Sequence, residues 1–175
     1  MVVIPFFAVF SVHAQQKPTE YQVEATYLYN FSQFVVWPAN STAVADSFNI
    51  CVLGQDPFGS TLKTILANET IGGKSAVAKQ IPTAQEAVNC RVLFISSSES
   101  GRLKQILTTL GVASVLTVSD LPEFTQHGGM VQFLLVGDRV RFEVNLAAAE
   151  RASLTLSSEL LKVAINVRRT APRGD

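Results

Sequence analysis

Thr19–Pro38, TEYQVEATYLYNFSQFVVWP, decides how this chain is read. Its apolar residues Val23, Tyr27, Leu28, Phe31, Phe34 and Val35 recur at the three-and-four spacing of one helix face, while Glu20, Glu24, Asn30 and Gln33 are polar. Thr19 followed by Gln22 has the form of a capping box, and Pro38 disfavours helical geometry at Trp37, so both ends of the helix carry a marker. Tyr21, Tyr29 and Trp37 fall off the main stripe. Aromatic residues left outside a core are common partner anchors, which makes Tyr29 and Trp37 candidates, although packing explains Trp37 equally well.

Upstream of this helix, residues 2–12 are apolar and run into Val12-His13-Ala14, a small-residue cleavage pattern. Residues 1–14 therefore read as a secretory signal peptide, with the unusual feature that no Lys or Arg precedes the apolar run. No other stretch is long and apolar enough to span a bilayer. The remainder reads as one domain over 19–167 and a flexible tail over 168–175.

Downstream, Phe48 to Leu53 is a buried strand ended by Gly54. Asp56 then reads as the cap of a helix with Pro57 at its first position and Phe58, Leu62, Ile65 and Leu66 facing inward. Gly72-Gly73 is a turn, Ser75 to Gln80 an edge strand, and Thr83 to Ala87 one helical turn. Arg91 to Ile95 is the most uniformly apolar strand and is placed at the centre of the sheet. Ser96 and Glu99 have capping-box spacing before a helix that carries Leu103, Ile106, Leu107 and Leu110 and stops at Gly111. Val115 to Val118 is the next strand. Met130 to Val136 and Arg139 to Asn145 form a hairpin around Gly137-Asp138, with Arg139, Arg141 and Glu143 on its wet face. Leu146 to Arg151 and Ser158 to Val167 close the chain as helices. Alternating helices and short buried strands predict an α/β fold, a three-layer α/β/α sandwich whose mostly parallel sheet has an antiparallel hairpin at one edge.

The composition limits function. Of 175 residues, 47% are hydrophobic and 16% charged, which supports a globular domain with a real core. Fourteen basic and fourteen acidic side chains cancel, and beyond Arg168, Arg169 and Arg173 the basic residues are scattered, so no nucleic-acid partner is expected. Asn68 to Ser75 ends like a phosphate-binding loop but lacks its first glycine and follows a helix. Ser96 to Ser98 lacks the glycines of a nucleophile elbow, and His127 is the only histidine beyond the leader. No catalytic set, metal site or cofactor is expected. Asp56, Glu99 and Asp120 all lie just past strands, at the carboxyl edge where open α/β sheets place ligands. They are candidate binding residues, although turn caps account for Asp56 and Asp120 more simply. Arg139 and Arg141 are candidates as a charged row, and such rows are most often solvated faces. Cys51 and Cys90 could be bridged in an oxidising compartment or remain buried thiols.

Tyr21 to Pro38, FNICVLGQDPFG at 48–59, CRVLFISSSESGRL at 90–103 and GGMVQFLLVGDRVRFEVNLAAA at 128–149 together resemble the YfiR family, four blocks in the same order. The resemblance runs from about Tyr21 to Val167. It implies the same sandwich and a Cys51–Cys90 disulfide, which would stabilise by about 4 kcal/mol in the chain-entropy model. It also implies a periplasmic, non-enzymatic regulator that binds and represses the periplasmic domain of a membrane diguanylate cyclase, lowering cyclic di-GMP and biofilm formation. An outer-membrane lipoprotein that relieves the repression and a homodimer are further expectations. The alternative is a periplasmic small-molecule-binding module feeding a sensor kinase or transport system.

Overall fold

The computed structural model describes residues 18–39 and 46–170; residues 1–17, where the signal peptide is expected, 40–45 and 171–175 lie outside it. The chain is α/β. Helix α1 (Glu20–Gln33) opens with the expected capping box, Gln22 donating its backbone N–H to Thr19 Oγ1 and accepting from Thr19 N. It ends four residues before the proline-marked limit, because Val35–Val36 leaves the helix as strand β1 and pairs antiparallel with β9 (Thr155–Leu156). Pro38 sets the latest point at which the helix could stop, and the cross-chain pairing stops it sooner.

The main sheet holds eight strands. They are β2 (Ser47–Leu53), β3 (Thr70–Ile71), β4 (Lys74–Ile81), β5 (Val92–Ile95), β6 (Leu116–Ser119), β7 (Val131–Val136), β8 (Arg139–Asn145) and β10 (Asn166–Arg168). Their spatial order is β10-β8-β7-β6-β5-β2-β4-β3. Pairing is parallel except in the β3–β4 and β7–β8 hairpins. β5 lies inside the sheet between β2 and β6, all four residues buried, as its uninterrupted apolar run requires.

Several local expectations are corrected. Asp56 accepts from Phe58 N in a tight turn, and α2 (Thr61–Leu66) begins later, after Ser60. β4 is second from the edge, with the two-residue β3 folded back along it through Gly72-Gly73, both at positive φ. The helical turn after β4 is a 3-10 segment over Ala84–Asn89. The helix expected over 158–167 divides into α5 (Ser158–Val163) and β10, which lies outside the hairpin and takes in Arg168 from the expected tail. Gly137 supplies the positive φ of the hairpin turn.

The period-two pleat sends alternate residues of each strand to opposite faces, which gives two cores and three layers. Ile50, Val52, Val92, Phe94, Leu116 and Val118 face α1, α2, α4 (Leu146–Arg151) and α5. Cys51, Leu53, Leu93 and Ile95 face α3 (Leu103–Leu110) and the 3-10 segment.

Candidate functional site

α1 crosses the first of these faces. Fourteen residues at about 1.5 Å each reach roughly 21 Å, enough to run from one edge of the sheet to the other. Its N-terminal half sits at the carboxyl edge of the parallel strands. There Tyr21 meets Phe58 edge-on at 6.0 Å, and Phe58 meets Phe94 of β5 at 4.8 Å. The Tyr21 hydroxyl donates to Asp120 Oδ2 at 3.4 Å. Asp120 follows β6 directly and is fixed there by Ser119, whose hydroxyl donates to Ile95 O and accepts from Leu121 N.

Beside this pair lies a residue that the sequence analysis placed on the polar face. Glu24 is 0% exposed, and neither of its carboxylate oxygens has a hydrogen-bond partner; Asp120 Oδ1 is likewise buried without one. Burial, then the charge of Asp120, then that of Glu20 push the Glu24 carboxyl up from 4.5 to about 8. Burial also raises Asp120, against hydrogen bonds from its own backbone and from Tyr21, and burial together with Asp120 raises the Tyr21 phenol. A signal for Glu24 was present, because it precedes Leu28 by four residues and Phe31 by seven, within the buried stripe.

The three acids of the carboxyl edge are used separately. Asp56 closes its own turn. Glu99 is buried and pairs with Arg102 at 2.5 Å, while Ser96 caps the 3-10 turn alone by accepting from Ser98 N, so the second capping box is only half formed. Only Asp120 of the three faces Tyr21 and Glu24. Gly54 explains why the edge is closed on the Glu99 side. Its φ is +93°, and a Cβ there would lie 2.4 Å from Ser98 Oγ and 2.8 Å from Glu99 Cγ. The crevice left beside Leu53, Pro82, Thr83, Glu99 and Arg102 measures about 90 Å³. Among the described residues no group of three or more His, Cys, Asp or Glu could hold a metal ion.

The C-terminal end of α1 reaches the amino edge. Trp37 donates Nε1–H to Arg91 O at 3.2 Å and meets Phe48 edge-on at 5.2 Å, so it is half-buried and tied to the fold. Tyr29 donates to Glu69 Oε2 at 2.7 Å, linking α1 to the segment before β3. Between them Phe31 packs with Tyr27, Phe133 and Phe142. A groove of about 280 Å³ opens alongside, lined by Tyr27, Phe31, Phe34, Phe142, Leu160 and Val163. On its rim Phe34 is 41% and Val163 64% exposed. A second groove, about 510 Å³, lies between the start of α1 and the hairpin tip, where Arg139 is exposed and Arg141 half-buried. Glu143, expected on the wet face, is half-buried and accepts from Thr125 Oγ1.

On the opposite face Cys51 and Cys90 are joined in a disulfide, with Cα atoms 5.9 Å apart. His127 is exposed, its ring Nδ1 against Glu123 O. Ser98 Oγ accepts from Gln55 N. A polar set that sequence reasoning missed holds the loop after β6. Asn145 donates to Thr125 O and accepts from Ala148 N, and Gln132 accepts from Thr125 N. It was illegible because each partner lies 3 to 20 residues from the next.

These features define a three-layer α/β module with an apolar groove along one helix and ionisable groups under it. Its chain belongs to the YfiR/HmsC-like family, DUF4154, whose model matches residues 21–165. That is a regulatory, non-enzymatic family of the periplasm, tied to diguanylate cyclase signalling. No helix among the described residues is long and apolar enough to cross a membrane. No curated protein matches the chain. Among solved structures it is similar to a conserved domain protein from Vibrio cholerae O1 biovar El Tor, with TM-score 0.55, 10% identity, and coverage of 85% of this chain and 60% of that one. It is also similar to an ABC domain in complex with L-Trp from Streptococcus pneumonia, with TM-score 0.51, 10% identity, and coverage of 73% and 58%. This chain thus spans about three fifths of either structure, and at such identity the likeness speaks for the fold alone.

Proposed function

We propose that this protein binds the periplasmic domain of a membrane diguanylate cyclase and represses it, lowering cyclic di-GMP and restraining biofilm formation. The observation that carries the reading is the groove between α1 and α5, mostly apolar in its lining, with Asn30 and Glu159 as its polar members, and bordered by the exposed Phe34 and Val163. Exposed aromatic and aliphatic side chains beside an apolar groove mark a surface whose burial by a protein partner would be favourable. Binding one state of the cyclase domain more tightly than another would shift its population and carry the signal across the membrane. An outer-membrane lipoprotein that competes for the same surface, and a second copy of the chain, are further partners consistent with it. The small-molecule alternative would use the carboxyl edge, where an open hollow of about 330 Å³ lined by Gly54, Gln80, Ile81 and Pro82 lies beside the crevice of about 90 Å³.

The test is cyclic di-GMP in the native host with the gene deleted and then restored with a competent leader, followed by crosslinking in membranes. Deletion should raise the level, restoration should reverse it, and crosslinks from position 34 should capture the cyclase. An unchanged level while the protein is exported would reject the repressor reading in favour of the small-molecule module.

A further inference from the structure

Buried carboxylates ordinarily find a cation or several hydrogen-bond donors, since an unpaired anion in a dry site is strongly unfavourable. Glu24 has neither, and both charges that act on it, from Asp120 and Glu20, are negative. The groups that face it are Asp120 on the loop after β6, and Tyr21 and Glu20 on its own helix. Of these, Tyr21 donates to Asp120 Oδ2 and leaves Oδ1 buried and unpartnered. Three orphan oxygens on two elements are thus buried in one region, where the charge of Asp120 acts on Glu24, and no group of three or more acids gathers among the described residues to hold a metal ion. The remaining way to make the arrangement tolerable is protonation.

We propose that Glu24, buried without a partner near Asp120, keeps its proton at neutral pH, and that loss of this proton in alkaline medium unlatches the N-terminal half of α1 from the carboxyl edge of the sheet. With that proton Glu24 is neutral, and the Tyr21 hydroxyl meets the charge of Asp120. Without it, two anions are buried in one region beneath a helix whose far end is still held by Trp37 and Phe31. The helix therefore yields first at Glu20–Leu28. This latch does not depend on the identity of any partner.

The sign follows from linkage. The Glu24 carboxyl lies near 8 in the folded chain against an ordinary 4.5, so the folded state binds more protons between those values. Its contribution to stability is full below about 4.5, falls as pH rises, by up to about tenfold in the folded-to-unfolded ratio per pH unit, and levels off above about 8.

The experiment is hydrogen exchange on the full-length protein from pH 5 to 9, corrected for intrinsic base catalysis, with Glu24→Gln and Asp120→Asn alongside. Protection over residues 20–28 should fall about tenfold or more in the wild type between pH 6 and 9 while β5 stays protected, and Glu24→Gln should flatten that dependence. Identical pH profiles for wild type and Glu24→Gln would overturn the latch. Full restoration of wild-type protection at pH 9 by millimolar calcium would also overturn it, as the site would then be a cation site. Difference infrared spectroscopy on the wild type provides a check that needs no variant to fold. A protonated carboxyl stretch should persist at pH 7 and vanish by pH 9, and a spectrum with no protonated carboxyl at pH 7 would overturn the proposal.

Discussion

On the α3 face of the sheet, Leu53, Leu93, Ile95 and Phe124 pack around a covalent bridge between β2 and Cys90, two residues before β5. On the α1 face, a larger core includes a buried glutamate, leaves Tyr27 and Tyr29 only half-covered, and opens into grooves on both sides of the helix. One face is closed by chemistry that does not depend on pH or partners. The other is closed by a helix whose fit depends on a proton and whose rim exposes apolar side chains. A regulatory domain gains from this division, because elements that move or bind are drawn from the less stable part of a structure while the rest keeps its shape.

The comparison is most severely tested by removing the bridge. Replacing both Cys51 and Cys90 with alanine releases a loop spanning 39 residues, and the chain-entropy model gives a loss of about 4 kcal/mol. Denaturant unfolding under oxidising conditions measures it. A loss below about 1 kcal/mol would mean that the α3 face stands on packing alone, and the contrast between the faces would lose its covalent term. The α1 face is tested at its rim. Phe34→Asp and Val163→Asp alter exposed side chains and should change stability by no more than about 0.5 kcal/mol. Each should weaken binding to the cyclase domain recovered by crosslinking by about 2 kcal/mol, roughly thirtyfold. Binding at wild-type strength by both variants would move the interface elsewhere, with the hairpin groove at Arg139 and Arg141 next to examine.

What could be read from the sequence divides along the same line. The strands of the central sheet were legible because β5 is a continuous apolar run and β2 is apolar from Ile50 to Leu53, and the hairpin because Val140, Phe142 and Val144 alternate with charge around Gly137. The capping box at Thr19 is a local signal and was read to the residue. Features decided by distant partners were not. β1 exists because Thr155–Leu156 is there to pair with it, and β10 because β8 has a free edge beside Phe142, while Ala164, with no glycine stop, gives no local sign that α5 has ended. Of the site, the position of Asp120 at the carboxyl edge was legible from strand order. Its nearness to Glu24 was not, since the two lie on distant elements, although the spacing of Glu24 to Leu28 and Phe31 carried a signal for its burial. The exposure of Phe34 was hidden by its place in the apolar stripe.

Trp37 gives the smallest effect and the finest discrimination. As an aromatic residue off the helical stripe it has the profile of a partner anchor, yet its indole N–H is used by Arg91 O and its ring rests on Phe48. Trp37→Phe keeps an aromatic ring against Phe48 and deletes the donor, while Arg91 O keeps its second hydrogen bond, from Leu116 N at 2.9 Å. The net value of one neutral hydrogen bond, about 1 kcal/mol, is the expected loss in denaturant unfolding. Binding should be unchanged if Trp37 fastens the end of α1 to the sheet, because the groove rim formed by Phe34 and Val163 is untouched. A binding loss of tenfold or more with no change in stability would show that Trp37 reaches the partner itself, and would extend the functional surface from the α5 groove around to the amino edge of the sheet.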